Sequence, residues 1–288
     1  MASMRDIKRR KGSIQSTQQI TKAMKLVSTV KLQKAKGKAE QTNPYTNYMY
    51  QTVSSMLAKS GSIDHPYLTK GEADKKAVVV ITSNRGLAGG YNSNITKLVM
   101  ASEDFSKENA EIYTIGSKGR EALERRGYVI KEDASGIIES PSYEDASVLC
   151  KKILEEYTEG EISEIYLAYT HFKNTVSHEP TLIKLLPVEI DEADMEKGAA
   201  SANVLMNYEP NEEEALDMII PKYVTSLFYG ALVEAVASEN GARMQAMDSA
   251  TSNAEEMISD LTLKYNRARQ SSITQELTEI IAGAEAIG

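Results

Sequence analysis

The carboxyl-terminal part of the chain constrains the fold more strongly than any other segment. From Lys222 to Ala282 it contains no proline, and the glycines within it are Gly230 and Gly241. A continuous helix over this stretch would be roughly 90 Å long at about 1.5 Å per residue, about three times the diameter of a small domain. Such a helix must project from its domain, and it needs a partner along its length.

A second stretch that favours helix covers residues 3–43 and opens with Ser3 and Asp6 at the spacing of a capping box. We expect it to be that partner. Two rows of residues repeat every seven positions and predict a seam for another helix, with Ile7, Ile14, Thr21 and Ser28 in one row and Thr17, Met24 and Lys31 in the other. Because Thr and Ser stand where a stable coiled coil has Leu or Ile, the seam buries little apolar area.

The charges of the two ends are opposite. Residues 1–40 hold eleven Lys and Arg against two acids, a net charge of +9, while residues 211–288 hold thirteen acids against five bases, a net charge of -8. This asymmetry favours pairing of the two helices, although each exposed ion pair stabilises by only about 0–1 kcal/mol. The basic amino-terminal end would also suit a protein that binds nucleic acid. Since no aromatic residue precedes Tyr45 and the whole chain carries -8, we expect no nucleic-acid partner.

Composition excludes several classes of protein. No apolar run approaches the roughly 18 residues of a membrane span, so we expect that no helix of this chain crosses a membrane. The amino terminus lacks the apolar segment of a secretory signal. Cys150 is the single cysteine, which excludes an internal disulfide and a Cys-based zinc site; we expect a buried thiol in a cytoplasmic protein.

Between the two ends, strand patterns alternate with helix patterns, which predicts βαβ units and a largely parallel sheet. The predicted strands are Ala77–Thr82, Glu111–Gly116, Tyr128–Lys131, Glu164–Thr170 and Thr181–Ile190, and the predicted helices are Ile95–Glu103, Lys118–Arg126 and Tyr143–Tyr157. The fold class is therefore α/β, with a Rossmann-like domain inserted between two long helices that pair antiparallel. The expected divisions are an amino-terminal helix over 1–60, the α/β domain over 75–190, a linker over 191–208 and a carboxyl-terminal helix over 209–288.

A glycine-rich loop follows the first predicted strand, where nucleotide and phosphate sites are often built. It contains Arg85, Gly86, Gly89 and Gly90, but it lacks both the G-x-G-x-x-G spacing and the Lys-Ser/Thr ending of a Walker loop. We expect a tight turn whose backbone passes close to another element. Arg85 could donate to a carboxylate across an interface.

The remaining polar residues do not form a catalytic pattern. No two of His65, His171 and His178 are four residues apart, and His171 and His178 fall in a predicted strand and the loop after it, so each is expected to be a surface or loop histidine. Glu276 and Glu279 share a helix face without a pocket around them, so acid–base catalysis is not expected. The sequence predicts no catalytic residue, no cofactor and no metal site.

Several segments, in order and position, resemble the gamma subunit of F-type ATP synthases over essentially the whole chain. They are SIQSTQQITKAMKLVSTVKLQKA from Ser13, TSNRGLAGGYNSN from Thr82, IGSKG from Ile115, FKNTVSHEPTLIKLLP from Phe172, SENGARMQAMDSATSNA from Ser238 and YNRARQSSITQELTEIIAGAEA from Tyr265.

This resemblance implies a noncatalytic rotor. The paired helices would form an asymmetric shaft inside a ring of three alpha and three beta subunits. The α/β domain would form a foot that meets the epsilon subunit and the membrane c-ring. Rotation driven by ions would then couple to ATP synthesis or hydrolysis in the ring, at the cytoplasmic face of the cell membrane, with the chain as a peripheral subunit.

The resemblance also implies which residues contact the ring. They are Lys22, Met24, Lys25, Arg243, Arg269, Gln270, Thr274 and Glu276. Arg269, Gln270 and Thr274 would hydrogen-bond loops of the ring, and Glu276 would set the charge near Met24 and Lys25.

Two other functions stay open on the residues alone. One is an enzyme that binds a nucleotide at the glycine-rich loop. The other is a free-standing coiled-coil adaptor or nucleic-acid binder.

Overall fold

The computed structural model describes residues 4–60, 65–189 and 211–287. Ser3 and the predicted linker 191–208 lie outside the described residues. The elements in chain order are α1 (Met4–Ser60), β1 (Lys76–Ile81), α2 (Tyr91–Ala101), β2 (Ala110–Ile115), α3 (Ser117–Glu124), β3 (Ile130–Asp133), a 3-10 turn (Ile137–Glu139), α4 (Tyr143–Thr158), β4 (Glu164–Phe172), β5 (His178–Leu186) and α5 (Glu212–Ile287). The α/β fold with two long terminal helices is confirmed.

Both long helices continue through a proline. The helix pattern at the amino terminus ends at Pro44, yet α1 runs on to Ser60, and α5 contains Pro221. A proline inside a helix removes one backbone hydrogen bond, so tertiary packing must compensate. It does so here, because the buried Val53 and Met56 lie beyond Pro44, and Val224 and Phe228 lie beyond Pro221.

The backbone divides into two compact units, which are described separately. One comprises residues 1–28 with 244–288, and the other comprises residues 29–243. The second unit therefore includes the carboxyl-terminal half of α1 and the amino-terminal part of α5. The domain boundaries inferred from the sequence fall at other positions and stay a prediction.

The larger unit is built on a mixed sheet. Within the described residues its strand order is β3-β2-β1-β4-β5, with parallel pairing throughout except for the antiparallel pair β4–β5. The largely parallel sheet is thus confirmed. β5 is an edge strand and ends at Leu186, directly before Pro187, which has no backbone N–H to donate to a neighbouring strand.

Helices cover both faces of this sheet because its strands alternate between two apolar surfaces. In β1, Val79 and Ile81 face a core that also holds residues of α1, α4 and α5, whereas Val78 and Val80 face α2 and α3. Cys150 is buried in the first core, as expected, and burial raises its pKa to about 11.

Among the described residues, α5 is long and apolar enough to cross a bilayer by length and composition alone, since 18 consecutive residues of it have a mean hydropathy of 1.2. However, 56 % of that stretch is buried inside the protein, and buried core helices share the same length and composition. This is weak evidence for a membrane span.

A buried carboxylate organises one end of the sheet. Glu164 opens β4 with a side chain 6 % exposed, and its oxygens lie 2.9 Å from Lys76 Nζ and 3.3 Å from Lys184 Nζ. Burial opposes ionisation of Glu164, but its contacts with the two lysines outweigh burial and lower its pKa. The carboxylate therefore favours the folded state above its ordinary pKa, and this contribution is lost as the pH falls through its folded pKa.

We predict that Glu164→Gln lowers the free energy of unfolding by about 2–3 kcal/mol at pH 7, because the lysines lose their charged partner. The difference from the parent chain should shrink as the pH falls below about 4.5. Urea unfolding at several pH values measures it. Glu179→Gln is the control, since its ion pair with Lys173 is exposed and should contribute little. Equal effects of the two changes would contradict the prediction.

Gly241 allows the β4–β5 hairpin to approach α5. A Cβ atom at Gly241 would lie 2.6 Å from His178 Cε1, whereas a Cβ at Gly230 of the same helix would meet nothing nearer than Thr46 Oγ1 at 3.8 Å. The first distance is a steric overlap, and the second is ordinary van der Waals contact.

We predict opposite effects of alanine at the two glycines. Gly230→Ala should stabilise the chain by up to about 1 kcal/mol through helix propensity. Gly241→Ala should destabilise it by about 1–3 kcal/mol through overpacking, and much of this loss should disappear in a His178→Ala background. Thermal unfolding of the four variants tests this, and a stabilising Gly241→Ala would refute the steric explanation.

Candidate functional site: the paired helix ends and the glycine-rich loop

In the smaller unit, α1 and α5 run antiparallel. Three polar contacts fix their register: Gln18 Nε2 with Glu255 Oε1 at 3.0 Å, Thr21 Oγ1 with Thr251 Oγ1 at 2.8 Å, and Lys25 Nζ with Asp248 Oδ1 at 2.6 Å. Each step forward along α1 is matched by a step back along α5, which confirms the predicted antiparallel pairing.

The seam between these helices consists largely of small and polar side chains, as predicted. Thr21 and Ser28 are buried on α1, and Met247, Thr251 and Ala254 are buried on α5. A buried hydroxyl must find a partner, and the contact between Thr21 and Thr251 satisfies both side chains.

The second predicted row of α1 is wrong at two of its three positions, since Met24 alone is half-buried. Thr17 and Lys31 are exposed, and the row beside Ile14 and Thr21 instead passes through Gln18 and Lys25, which are half-buried. Positions three and four residues away are both neighbours on a helix. Neither row is apolar throughout, so the sequence could not choose between them.

The residues that the resemblance assigns to ring contact on α1 lie near this seam. Met24 and Lys25 are half-buried and Lys22 is exposed. The expected influence of Glu276 on Lys25 is wrong, because Lys25 pairs with Asp248. Glu276 lies 28 residues further along the same helix as Asp248, or about 42 Å.

The carboxyl-terminal end of α5 is largely exposed. Arg269, Gln270, Thr274 and Glu276 all have exposed side chains. Thr274 Oγ1 donates to the backbone oxygen of Gln270 at 2.9 Å within the helix. Large apolar side chains are exposed here too: Ile273, Leu277, Ile280 and Ile281, with exposed fractions from 48 to 68 %.

These four apolar residues lie on one side of the helix, because their spacing of four, three and one matches a helical face. The register set by the three polar contacts places Met4, where the described part of α1 begins, beside about residue 269 of α5. The apolar face therefore begins where the described part of the partner helix stops.

In the larger unit, the glycine-rich loop follows β1 and precedes α2. Arg85, Gly86, Gly89 and Gly90 are exposed, whereas Ala88 is buried. The loop was expected to bring its backbone close to another element, and this is confirmed, because Arg243 of α5 donates to the backbone oxygens of Arg85 and Gly86.

Arg243 was assigned to ring contact, but its side chain is 10 % exposed and pairs with Glu239 Oε1 at 2.7 Å. Burial raises the pKa of Glu239, and the charge of Arg243 counteracts this shift. Tyr91 OH donates to the backbone oxygen of Ala235 at 3.1 Å, which attaches the start of α2 to α5. Glu239 and Tyr91 were not singled out by sequence, although Glu239 stands one helical turn before Arg243.

Two of the histidines contact a carboxylate of α5. His65 lies in a loop, as expected, but it is buried and its Nε2 lies 3.2 Å from Asp217 Oδ1. His171 Nδ1 lies 2.7 Å from Glu234 Oε2, which ties β4 to α5. Across the described residues, no group of three or more His, Cys, Asp or Glu side chains could hold a metal ion.

The comparisons with known proteins agree along the full chain. A family model described as ATP synthase matches residues 3–287. The chain is 69 % identical over 292 residues to the ATP synthase gamma chain of Lachnoclostridium phytofermentans, with all of both chains covered. It is 42 % identical over 299 residues to the ATP synthase gamma chain, sodium ion specific, of Acetobacterium woodii, with 99 % of both covered.

Solved structures show the same fold. A chain of the Euglena gracilis mitochondrial ATP synthase, solved as OSCP/F1/c-ring, matches with a TM-score of 0.66 at 18 % identity, covering 99 % of this chain and 94 % of that one. A chain from the central stalk and c-ring of the Tetrahymena thermophila enzyme matches with a TM-score of 0.58 at 24 % identity, covering 80 % and 99 %. The matching family model and the full-length relatives place this chain in the gamma-subunit family of F-type ATP synthases.

Proposed function

We propose that this chain is the central rotor shaft of its ATP synthase. It turns within a ring of alpha and beta subunits and transmits ion-driven rotation to their catalytic sites, while it has no catalytic site of its own. The observation that carries the proposal is the exposed apolar face of α5 formed by Ile273, Leu277, Ile280 and Ile281. Exposed apolar faces of this kind mark surfaces that contact other proteins.

The side chains at the carboxyl-terminal end of α5 are suited to contact with a surrounding ring of subunits. The apolar face is narrow, and Arg269, Gln270, Thr274 and Glu276 carry polar groups around it. A narrow apolar contact limits the energy that holds the shaft at any one angle, since stabilisation scales with buried apolar area. Polar side chains around it can exchange hydrogen bonds with successive ring subunits.

The seam of the helix pair fits the same function. Lys22 and Met24 stand next to Lys25, whose contact with Asp248 belongs to the helix pair. The three neighbouring residues thus combine an internal ion pair with side chains available to the ring. A shaft with different side chains around its circumference presents different contacts to three equivalent subunits, and so can favour a different conformation in each.

We propose that the larger unit of the chain contacts two further partners, the epsilon subunit and the membrane c-ring. Support comes from the solved relatives, whose structures include a central stalk with a c-ring. The corresponding location is the cytoplasmic face of the cell membrane, where the chain is a peripheral subunit.

We predict that truncation after Ala268 reduces ion-driven ATP synthesis by at least about tenfold, because it removes the apolar face and the polar residues around it. The larger unit should remain folded, since its core lies in residues 29–243. The reconstituted complex is assayed for synthesis, and circular dichroism checks the fold. Normal synthesis by the truncated complex would contradict the assigned contacts.

A finer variant replaces Ile273, Leu277 and Ile280 with serine. We expect weaker assembly with alpha and beta subunits, by about tenfold or more, since three apolar side chains that the ring would bury are lost from the contact. The matched control replaces Val129 and Val148 with serine, because both are 69 % exposed elsewhere on the chain. Co-purification with a ratio of one chain to three alpha and three beta subunits is the readout, and equal loss in variant and control would count against the apolar face.

A further inference from the structure

The two ends of the glycine-rich loop are fixed by local hydrogen bonds. At its start, the backbone N–H of Ser83 donates to Asn92 Oδ1 at 2.9 Å. At its end, the backbone N–H of Tyr91 donates to the oxygen of Ala88 at 3.2 Å. These bonds hold the loop where it leaves β1 and where it enters α2.

The middle of the loop is held from α5. Arg243 Nε and Nη2 donate to the oxygen of Gly86 at 3.4 and 3.3 Å, and Nη2 also donates to the oxygen of Arg85 at 3.3 Å. The hydroxyl of Ser83 adds a 2.7 Å hydrogen bond to the oxygen of Arg85. A guanidinium can contact two carbonyl groups and a carboxylate at once, whereas a lysine ammonium lacks this planar fork.

The charge of Arg243 is balanced inside the same helix. A nearly buried guanidinium is costly unless an acid pairs with it. Glu239, with a side chain 13 % exposed, supplies that acid at 2.7 Å from Nη1. The pair leaves the remaining guanidinium N–H groups aimed at the loop.

The next residue shows what this arrangement holds in place. Leu87 has a φ of 63°, a left-handed conformation that a leucine rarely adopts. Leu87 is 63 % exposed and lies between Gly86 and the buried Ala88. A strained and exposed apolar residue persists only where the surroundings fix the backbone on both sides.

We propose that Arg243 acts within its own chain as a positioning residue for the glycine-rich loop. With Glu239 as its counter-ion, it holds the backbone oxygens of Arg85 and Gly86 and so keeps Leu87 displayed on the surface. This role differs from direct contact with the ring. Its consequence for coupling rests on the proposed rotor function.

Trypsin tests the proposal at the relevant bond. The peptide bond after Arg85 carries the carbonyl that Arg243 binds, and cleavage there requires the loop to open. In the full-length chain, Arg243→Lys and the double variant Arg243→Gln with Glu239→Gln should be cleaved after Arg85 at least about tenfold faster than the parent. The double variant avoids leaving a buried charge unpaired.

Two controls separate loop opening from general unfolding. Cleavage after the exposed Arg126, two residues beyond the end of α3, should change less than twofold in the same digests. Arg269→Gln, a change at an exposed arginine of the same helix, should leave cleavage after Arg85 unchanged. Mass spectrometry of the new amino termini measures both rates. An unchanged rate after Arg85 in both Arg243 variants would overturn the proposal.

The assembled complex provides the second readout. Coupling of ATP hydrolysis to ion pumping should fall most in the variant whose loop opens fastest, with Arg243→Lys intermediate. Faster cleavage with full coupling would support the positioning of the loop by Arg243 and would overturn its consequence for coupling. Failure of the rotor function has a different outcome, because it would appear as normal coupling after truncation at Ala268, with the cleavage results unaffected.

Discussion

The pairing of α1 with α5 in the smaller unit depends on contacts between small and polar side chains. Thr21 and Thr251 meet through their hydroxyls, and Lys25 reaches Asp248 across the seam. Such contacts define a register without burying much apolar area, because the hydroxyl pair and the ion pair are directional. The pair therefore keeps its alignment through specific polar contacts and gains little from apolar burial.

Apolar side chains of α5 are buried in one part of the helix and exposed in another. The buried part packs against the sheet, and the exposed part is available to other subunits. In the larger unit, Leu216, Val224, Phe228 and Leu232 are buried in the core next to the sheet. Near the carboxyl terminus, Ile273 and Leu277 are exposed although they are equally apolar. Core burial explains the first group. The second group is explained by the alpha and beta subunits that we propose as partners.

Much of the fold could be predicted from periodicity alone. Strands such as Val78–Ile81 alternate between two apolar cores, and the long stretch after Lys222 lacks helix-breaking residues. The local pattern that favours helix stops at residue 43, and packing of the later residues Val53 and Met56 explains why α1 continues through Pro44.

The candidate site was less predictable than the fold. Family resemblance selected Arg243, but its place against the glycine-rich loop and its pairing with Glu239 depend on tertiary structure. The pairing of Lys25 with Asp248 was also missed, since both seven-residue rows of α1 are compatible with a helix and the partner's register is a tertiary property. Charge composition indicated that the ends would pair, and it could not indicate which residues meet.

Single-molecule observation can detect rotation of this chain within the ring of alpha and beta subunits that we propose as its partner. The ring of alpha and beta subunits is fixed to a surface, and a probe is attached to an exposed residue of α4, such as Val148→Cys in a Cys150→Ser background. We predict that the probe turns stepwise in one direction while ATP is hydrolysed. A probe that stays at one angle in complexes that hydrolyse ATP at the normal rate would contradict it.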